Sequence, residues 1–325
     1  MLKNAIRKQL AGKTTASLYL SGGIDSALIG LYLKDLGVRV TTFTSLTELQ
    51  HDAERQYLDL NIKSIEPKAI HIQTTEKDYG AILSSITRYY KQPFGNMTAL
   101  AVANIWNTTP IDQSEIIFHG QNSDVINNAM DNGHVTGFGF PFYSNWFTYL
   151  NYSQSEMFNK YASSVSHGLL TQDPTTIAKL YGSNTLHSFQ LVALAGLYFR
   201  RTPVDSELLS QPAINQSVAV GNPFYDVDVI EYLLSLSIRH KLQFKKHTRF
   251  PLSLDKRVLQ SIAVAKDLPK ELVYRKNGFV VSRQDAHQDF FSQLPNKIQG
   301  VTCQTLEQKF AAHILNLYLQ NKFKN

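Results

Sequence analysis

Cysteine is almost absent: Cys303 is the only one in 325 residues. That excludes a disulfide framework and any zinc site built on cysteine, and it leads us to expect a reducing, cytoplasmic setting. No uncharged apolar run approaches the roughly 18 residues a membrane-spanning helix needs. Lys3, Arg7, Lys8 and Lys13 break up any signal-like N-terminal run, so no membrane partner is expected. Repeats and low-complexity tracts are also lacking. The net charge of +6 is modest. Its densest run, residues 239–257 with Lys241, Lys245, Lys246, His247 and Arg249, has no aromatic-interleaved recognition motif, so it reads as a solvated face and nucleic acid is not an expected partner. What remains is an ordinary globular balance, 43% hydrophobic and 18% charged, in a chain long enough for one large domain or two.

One stretch organises the rest: Leu18-Tyr19-Leu20-Ser21-Gly22-Gly23-Ile24-Asp25-Ser26-Ala27-Leu28-Ile29. It reads as an apolar strand, a turn of small residues, and a helix starting near Ser26. Two adjacent glycines let the backbone approach a ligand with no Cβ in the way. The helix that follows aims unpaired N–H groups and its positive dipole end at the turn. Ser21 and Ser26 add hydroxyl donors, and Asp25 adds a carboxylate able to hold a cation that bridges phosphates. The alternative, a plain strand–helix turn with glycine for geometry and serine as a cap, explains fewer of these residues. A Walker loop is excluded. Gly12-Lys13-Thr14 precedes the strand, and Arg7 stands where that motif needs its first glycine.

Along the chain, helical or strand patterns alternate. Residues 1–14 read as a short helix with Leu2, Ile6 and Leu10 on one stripe, and 27–36 as a helix ended by Gly37. Residues 38–44 form a β-branched strand, 49–60 a helix, 69–72 a strand, 78–90 and 100–107 helices, and 115–118 a strand that runs into His119-Gly120-Gln121-Asn122-Ser123-Asp124. Such alternation implies βαβ units, a parallel sheet flanked by helices, and ligands at the carboxyl ends of its strands. From residue 138 aromatics crowd together, from Phe138 and Phe140 to Tyr149 and Tyr152. Helical periodicity returns at 175–180, 187–200, 227–236, 255–265 and 305–322. The expected organisation is therefore an α/β core at 1–137 and a mainly helical C-terminal part at 138–325.

Ser21-Gly22-Gly23-Ile24-Asp25-Ser26 resembles the PP-loop of the ATP pyrophosphatases, and further segments narrow the resemblance to the asparagine synthetase superfamily. Pro93-Phe94-Gly95-Asn96 is similar to its Pro-Phe-Gly-Asp segment. Residues 118–124 are similar to its second phosphate-side loop, and Asn222-Pro223-Phe224-Tyr225-Asp226 to its Pro-Phe-Leu-Asp segment. Asp255-Lys256, Asp267-Leu268-Pro269-Lys270 and Tyr274-Arg275-Lys276-Asn277-Gly278-Phe279 follow in the family's order. The resemblance implies an adenine nucleotide alpha-hydrolase-like fold and an AMP-forming ligase that adenylylates a carboxylate with ATP and Mg²⁺ and passes it to ammonia or an amine. By the same resemblance, Ser21, Gly22, Gly23 and Ser26 hold pyrophosphate. Gly120, Gln121 and Ser123 line the second loop, and Thr42, Phe43 and Thr44 border adenine and ribose. Asp25 and Asp124 hold the metal, and Lys276 reaches the α-phosphate.

The departures from the family pattern are specific. Asn122 replaces the second loop's glycine, Val125 replaces its glutamate, and Ala219 replaces a glutamate before the Pro-Phe segment. Gln121 stands where ring-forming relatives carry tyrosine. The tyrosine and the Ala219-position glutamate serve as a base in β-lactam formers, so the pattern favours a nucleophile needing little deprotonation, or a different base. His119, with an ordinary pKa of about 6.5, is a candidate base and equally a structural histidine beside the turn. The N-terminal glutaminase cysteine of glutamine-dependent relatives has no counterpart, so nitrogen is expected from ammonia, from an amine, or from a separate glutaminase or pathway partner. The acceptor is a small-molecule or peptide carboxylate. Two other readings share these residues: an RNA-modifying PP-loop enzyme, and a degenerate nucleotide-binding subunit that needs a partner.

Overall fold

The computed structural model describes residues 1–47, 52–74, 78–109, 111–113, 115–127, 201–241, 256–274, 292–294, 297–298, 301–303 and 306–322. The aromatic stretch at 138–152, the helices expected at 175–180 and 187–200, and Lys276 lie outside them. The chain divides into two compact units, each discontinuous in sequence. One comprises Ile6–Gly120, Glu207–Pro223 and Asn277–Asn325; the other comprises Met1–Ala5, Gln121–Ser206 and Phe224–Lys276.

The first unit is built on a five-stranded, wholly parallel sheet: β1 (Thr15–Tyr19), β2 (Arg39–Thr47), β3 (Lys68–Thr74), β4 (Ile116–Phe118) and β5 (Ala219–Gly221), in the order β3-β2-β1-β4-β5. From β1 the chain works outward through β2 and β3, then returns to the other side of β1 for β4. The order therefore reverses between β1 and β4, and the crevice beyond their carboxyl ends is where α/β sheets of this kind bind ligands. The α/β parallel class expected from the alternating pattern is the class observed. The strand β5 was not foreseen, because three residues with Ala219 exposed carry no periodic signal.

The first helix is Leu2–Leu10 (α1), and the helices on the sheet follow from composition. Ile24–Asp35 (α2) buries nearly its whole first two turns, including Ala27, Leu28, Ile29 and Gly30, as a helix apolar on all sides must. Gly30 is where it meets Asp52–Ile65 (α3): a Cβ there would stand 2.5 Å from Ile65 Cδ1. The helix α3 runs five residues beyond the end expected at Leu60. Tyr79–Tyr90 (α4) and Ala99–Thr108 (α5) form the other layer, with Ile82, Ile86, Tyr90, Leu100, Ala103 and Trp106 in one core with Tyr19 and Phe43 of the sheet. The C-terminal helix Leu306–Lys322 adds Phe310 and Ile314 to that core, and Tyr90 donates its hydroxyl to the Leu208 carbonyl at 2.6 Å.

The second unit, among the described residues, is helical. Val227–Ser235 opens under an Asp226 cap whose Oδ1 accepts from the Asp228 N–H at 3.1 Å, so the Pro-Phe segment does introduce a helix. Arg257–Ala265 and Lys270–Val273 bury Leu259, Ala263, Leu272 and Val273.

Candidate active site

The site begins where β1 ends. Its register aligns Leu18 with Thr42 and Tyr19 with Phe43, so β2 delivers residues 42–44 beside the strand that leads into the 21–26 loop. Thr44 ties the two together, its hydroxyl donating to the Leu20 carbonyl at 2.8 Å. The Thr42 and Phe43 side chains are buried in the sheet, and β2 continues to Thr47, so residues 42–44 lie within the strand and not at its expected end at 44. The Phe43 carbonyl accepts from the Leu20 N–H at 3.0 Å.

Residues 21–26 form a self-bonded loop. The Ser21 and Ser26 hydroxyls lie 3.1 Å apart, the Ser21 N–H donates to Ser26 Oγ at 3.2 Å, and the Gly23 N–H donates to Ser21 Oγ at 3.1 Å. The helix α2 starts at Ile24 with Gly23 in its N-cap position and no side chain capping it. An uncapped first turn, with its dipole, is the arrangement that favours an anion. Asn61 of α3, fully buried, holds the loop from behind. Its Nδ2 donates to the Ser21 carbonyl at 2.8 Å and reaches the Gly23 carbonyl at 3.5 Å. The sequence signal for Asn61 was its place on an apolar stripe between Leu58 and Ile65, which a helix ended at Leu60 hides.

The chain leaves β4 through His119 and Gly120 directly against this loop. A Cβ on Gly120 would lie 3.0 Å from the Asp25 Cβ and 3.4 Å from the Ser26 nitrogen. Glycine here permits the backbone contact between the two loops at the point where the sheet order reverses. His119 is not the base its position suggested. Its ring is fully buried, Nε2 sits 2.9 Å from Ser210 Oγ, and burial pulls its pKa down to about 3. It is therefore neutral across the physiological range and holds β4 against Arg201–Asn215.

In the second unit the loop continues as Gln121, Asn122 and the short helix Ser123–Ile126. Asn122 has a φ of 74°. The left-handed conformation is one that asparagine, unlike most residues, adopts with little cost, so asparagine suits this position as glycine would. Val125 is buried and brings no carboxylate. Ser123 is buried too, while Asp124, half-exposed, pairs with Lys256 at 3.1 Å. Lys256 is itself 8% exposed and was named at the sequence level only as part of a motif. Lys241 is also buried, its Nζ 3.3 Å from the Ile126 carbonyl, and burial lowers its pKa to about 8. No cluster of three or more His, Cys, Asp or Glu that could hold a metal occurs among the described residues, and none of the described helices is long and apolar enough to cross a membrane.

A parallel α/β sheet with a small-residue loop and an uncapped helix at its switch point defines a nucleotide-handling class of fold. The chain matches the asparagine synthase family over residues 1–320 of its 325, and it belongs to that family. The family is one of ligase-type enzymes that use ATP. No curated protein is similar enough to the chain to be matched.

Proposed function

We propose that the protein is an AMP-forming carbon–nitrogen ligase. A substrate carboxylate attacks the α-phosphorus of ATP, pyrophosphate leaves, and a nitrogen nucleophile then displaces AMP from the acyl-adenylate. The observation that carries this reading is the close packing of Gly120 on Asp25 and Ser26, which puts two loops and an uncapped helix start at one end of the sheet. Catalysis of this kind needs positioning and charge neutralisation more than a covalent step.

Within this reading the roles are distributed as follows. Ser21, Gly22, Gly23 and Ser26 bind the pyrophosphate portion, and residues 42–44 meet adenine and ribose through the backbone. Gly120, Gln121 and Ser123 flank the phosphates from the second loop, and Lys276 steadies charge at the α-phosphate. The donor set suits Mg²⁺, a hard cation that takes one or two carboxylates and completes its shell with phosphate oxygens and water. Asp25 and Asp124 would hold it, so a three-carboxylate cluster is not needed. Bound there, it would neutralise charge on the leaving pyrophosphate. The acceptor is a small-molecule or peptide carboxylate, and nitrogen arrives as ammonia, as an amine, or from a separate glutaminase.

The test is release of pyrophosphate from ATP and Mg²⁺ with a panel of carboxylic acids, with and without ammonium. Release that depends on one acid and yields AMP, and that Asp25→Ala abolishes, is the expected result. ATP binding without release under any condition would move the protein to a nucleotide-binding subunit. Release stimulated by tRNA and indifferent to the acids would move it to RNA modification.

A further inference from the structure

We infer that Asn61 is a positioning residue that locks the Ser21–Gly22 peptide in the orientation required for phosphate, an inference that rests on the ligase reading and deepens it. The side chain is fully buried on α3, seated by the contact of Gly30 with Ile65 one turn further on. Its amide donates to the carbonyls of Ser21 and Gly23. A trans peptide points its C=O and the following N–H in opposite directions. With the carbonyls of Ser21 and Gly23 drawn toward α3, the N–H groups of Gly22 and Ile24 are aimed away from it.

The lock matters because of the two glycines. Each peptide that Asn61 holds has one glycine beside it, Gly22 after the 21–22 peptide and Gly23 before the 23–24 peptide. With no Cβ on that side, rotation meets less steric resistance, and it would present a carbonyl oxygen where an anion needs a donor. The fold alone does not explain the asparagine. Its Oδ1 is buried and has no hydrogen-bond partner among the described residues, and an orphaned buried acceptor costs more than a single donated hydrogen bond returns. An apolar side chain of similar size would serve packing at least as well. What the amide supplies and an apolar side chain cannot is a donor from α3 to the two loop carbonyls, at 2.8 Å on Ser21, where the Ser26 hydroxyl reaches the same oxygens only at 3.4 and 3.3 Å.

Two variants test this, read by equilibrium binding of ATP with Mg²⁺ and by thermal unfolding without ligand. Asn61→Asp keeps the shape and turns the donor into an acceptor, which favours the rotated peptide. Asn61→Leu removes the donor together with the orphaned acceptor. The expected result is a loss of ATP affinity of at least about tenfold in both, roughly 1.4 kcal/mol. The unfolding midpoint of Asn61→Leu should stay at or above that of the unaltered protein. Affinity within about twofold of the unaltered protein in either variant overturns the inference. So does loss of cooperative unfolding in both, because Asn61 would then be needed for the fold itself. If the unaltered protein binds no ATP, the ligase reading fails first, which separates the two failures.

Discussion

Gly120 and Asp25 are packed so closely that a single added methyl group on the glycine would come within 3.0 Å of the aspartate Cβ. Contacts that short force a neighbour to shift by a few tenths of an ångström. The atoms met are the Asp25 Cβ and backbone atoms of Asp25 and Ser26, so the start of α2 itself has to move. Gly120→Ala should therefore cost about 1–3 kcal/mol of stability while lowering pyrophosphate release by at least about tenfold, since small misplacements at a reacting centre are expensive in rate. Paired measurement of urea unfolding and turnover checks this. Turnover unchanged in a folded Gly120→Ala protein would mean that the two loops do not cooperate.

The Lys256–Asp124 pair is lopsided, with the ammonium 8% exposed and the carboxylate 48% exposed. Removing Asp124 leaves a buried cation without this partner, whereas removing Lys256 leaves a carboxylate that water can reach. Ligand-free Asp124→Ala should lose about 2 kcal/mol, less than for a fully buried pair, and Lys256→Met about 1 kcal/mol or less. Urea unfolding of the two variants gives the order directly. A larger loss in Lys256→Met, which keeps an unbranched apolar stem, would show that the ammonium group makes contacts that matter beyond Asp124.

The sheet and the first loop were legible because their signals are local. Ser21-Gly22-Gly23 needs only its flanking strand and helix to be read, and the β-branched run at 38–44 needs only its own residues. What escaped is held together across the sequence. Strand β5 is three residues whose pairing comes from β4, about a hundred residues earlier. Asn61 acquires meaning only once α3 packs on α2 through Gly30. For His119 the sequence leaves a base and a structural ring equally open, because a residue beside a polar turn looks exposed. The sequence does not reveal that Ser210 and the Gly221 carbonyl close over it. Asn122 shows the reverse case, a departure from the family's glycine that its φ of 74° makes conservative.

Beneath the loop, Trp106 donates its indole N–H to the Tyr19 hydroxyl at 2.8 Å, both residues buried. This bond joins the last residue of β1 to α5. Tyr19→Phe orphans the indole N–H and should cost about 1–3 kcal/mol. Trp106→Phe in the same background should then cost less than it does alone, because the donor that needed a partner has gone. A double-mutant cycle measures the difference, and additive losses would mean that the contact contributes nothing beyond packing.

Burial lowers the His119 pKa from 6.5 to about 3, and the unfolded chain keeps the ordinary value. Between those two values the unfolded state binds the proton and the folded state does not, so stability rises with pH across the window and is lost as pH falls from about 6.5 toward 3. His313, half-buried with its pKa also lowered, adds to the same slope. His119→Gln removes the larger contribution and leaves the other. Moving from pH 7 to pH 4.5 should cost the unaltered protein on the order of 2 kcal/mol more than it costs His119→Gln. Urea midpoints at the two pH values decide it. Parallel losses would mean that the His119 ring is open to protonation in the folded protein, and its standing as a base beside the second loop would have to be restored.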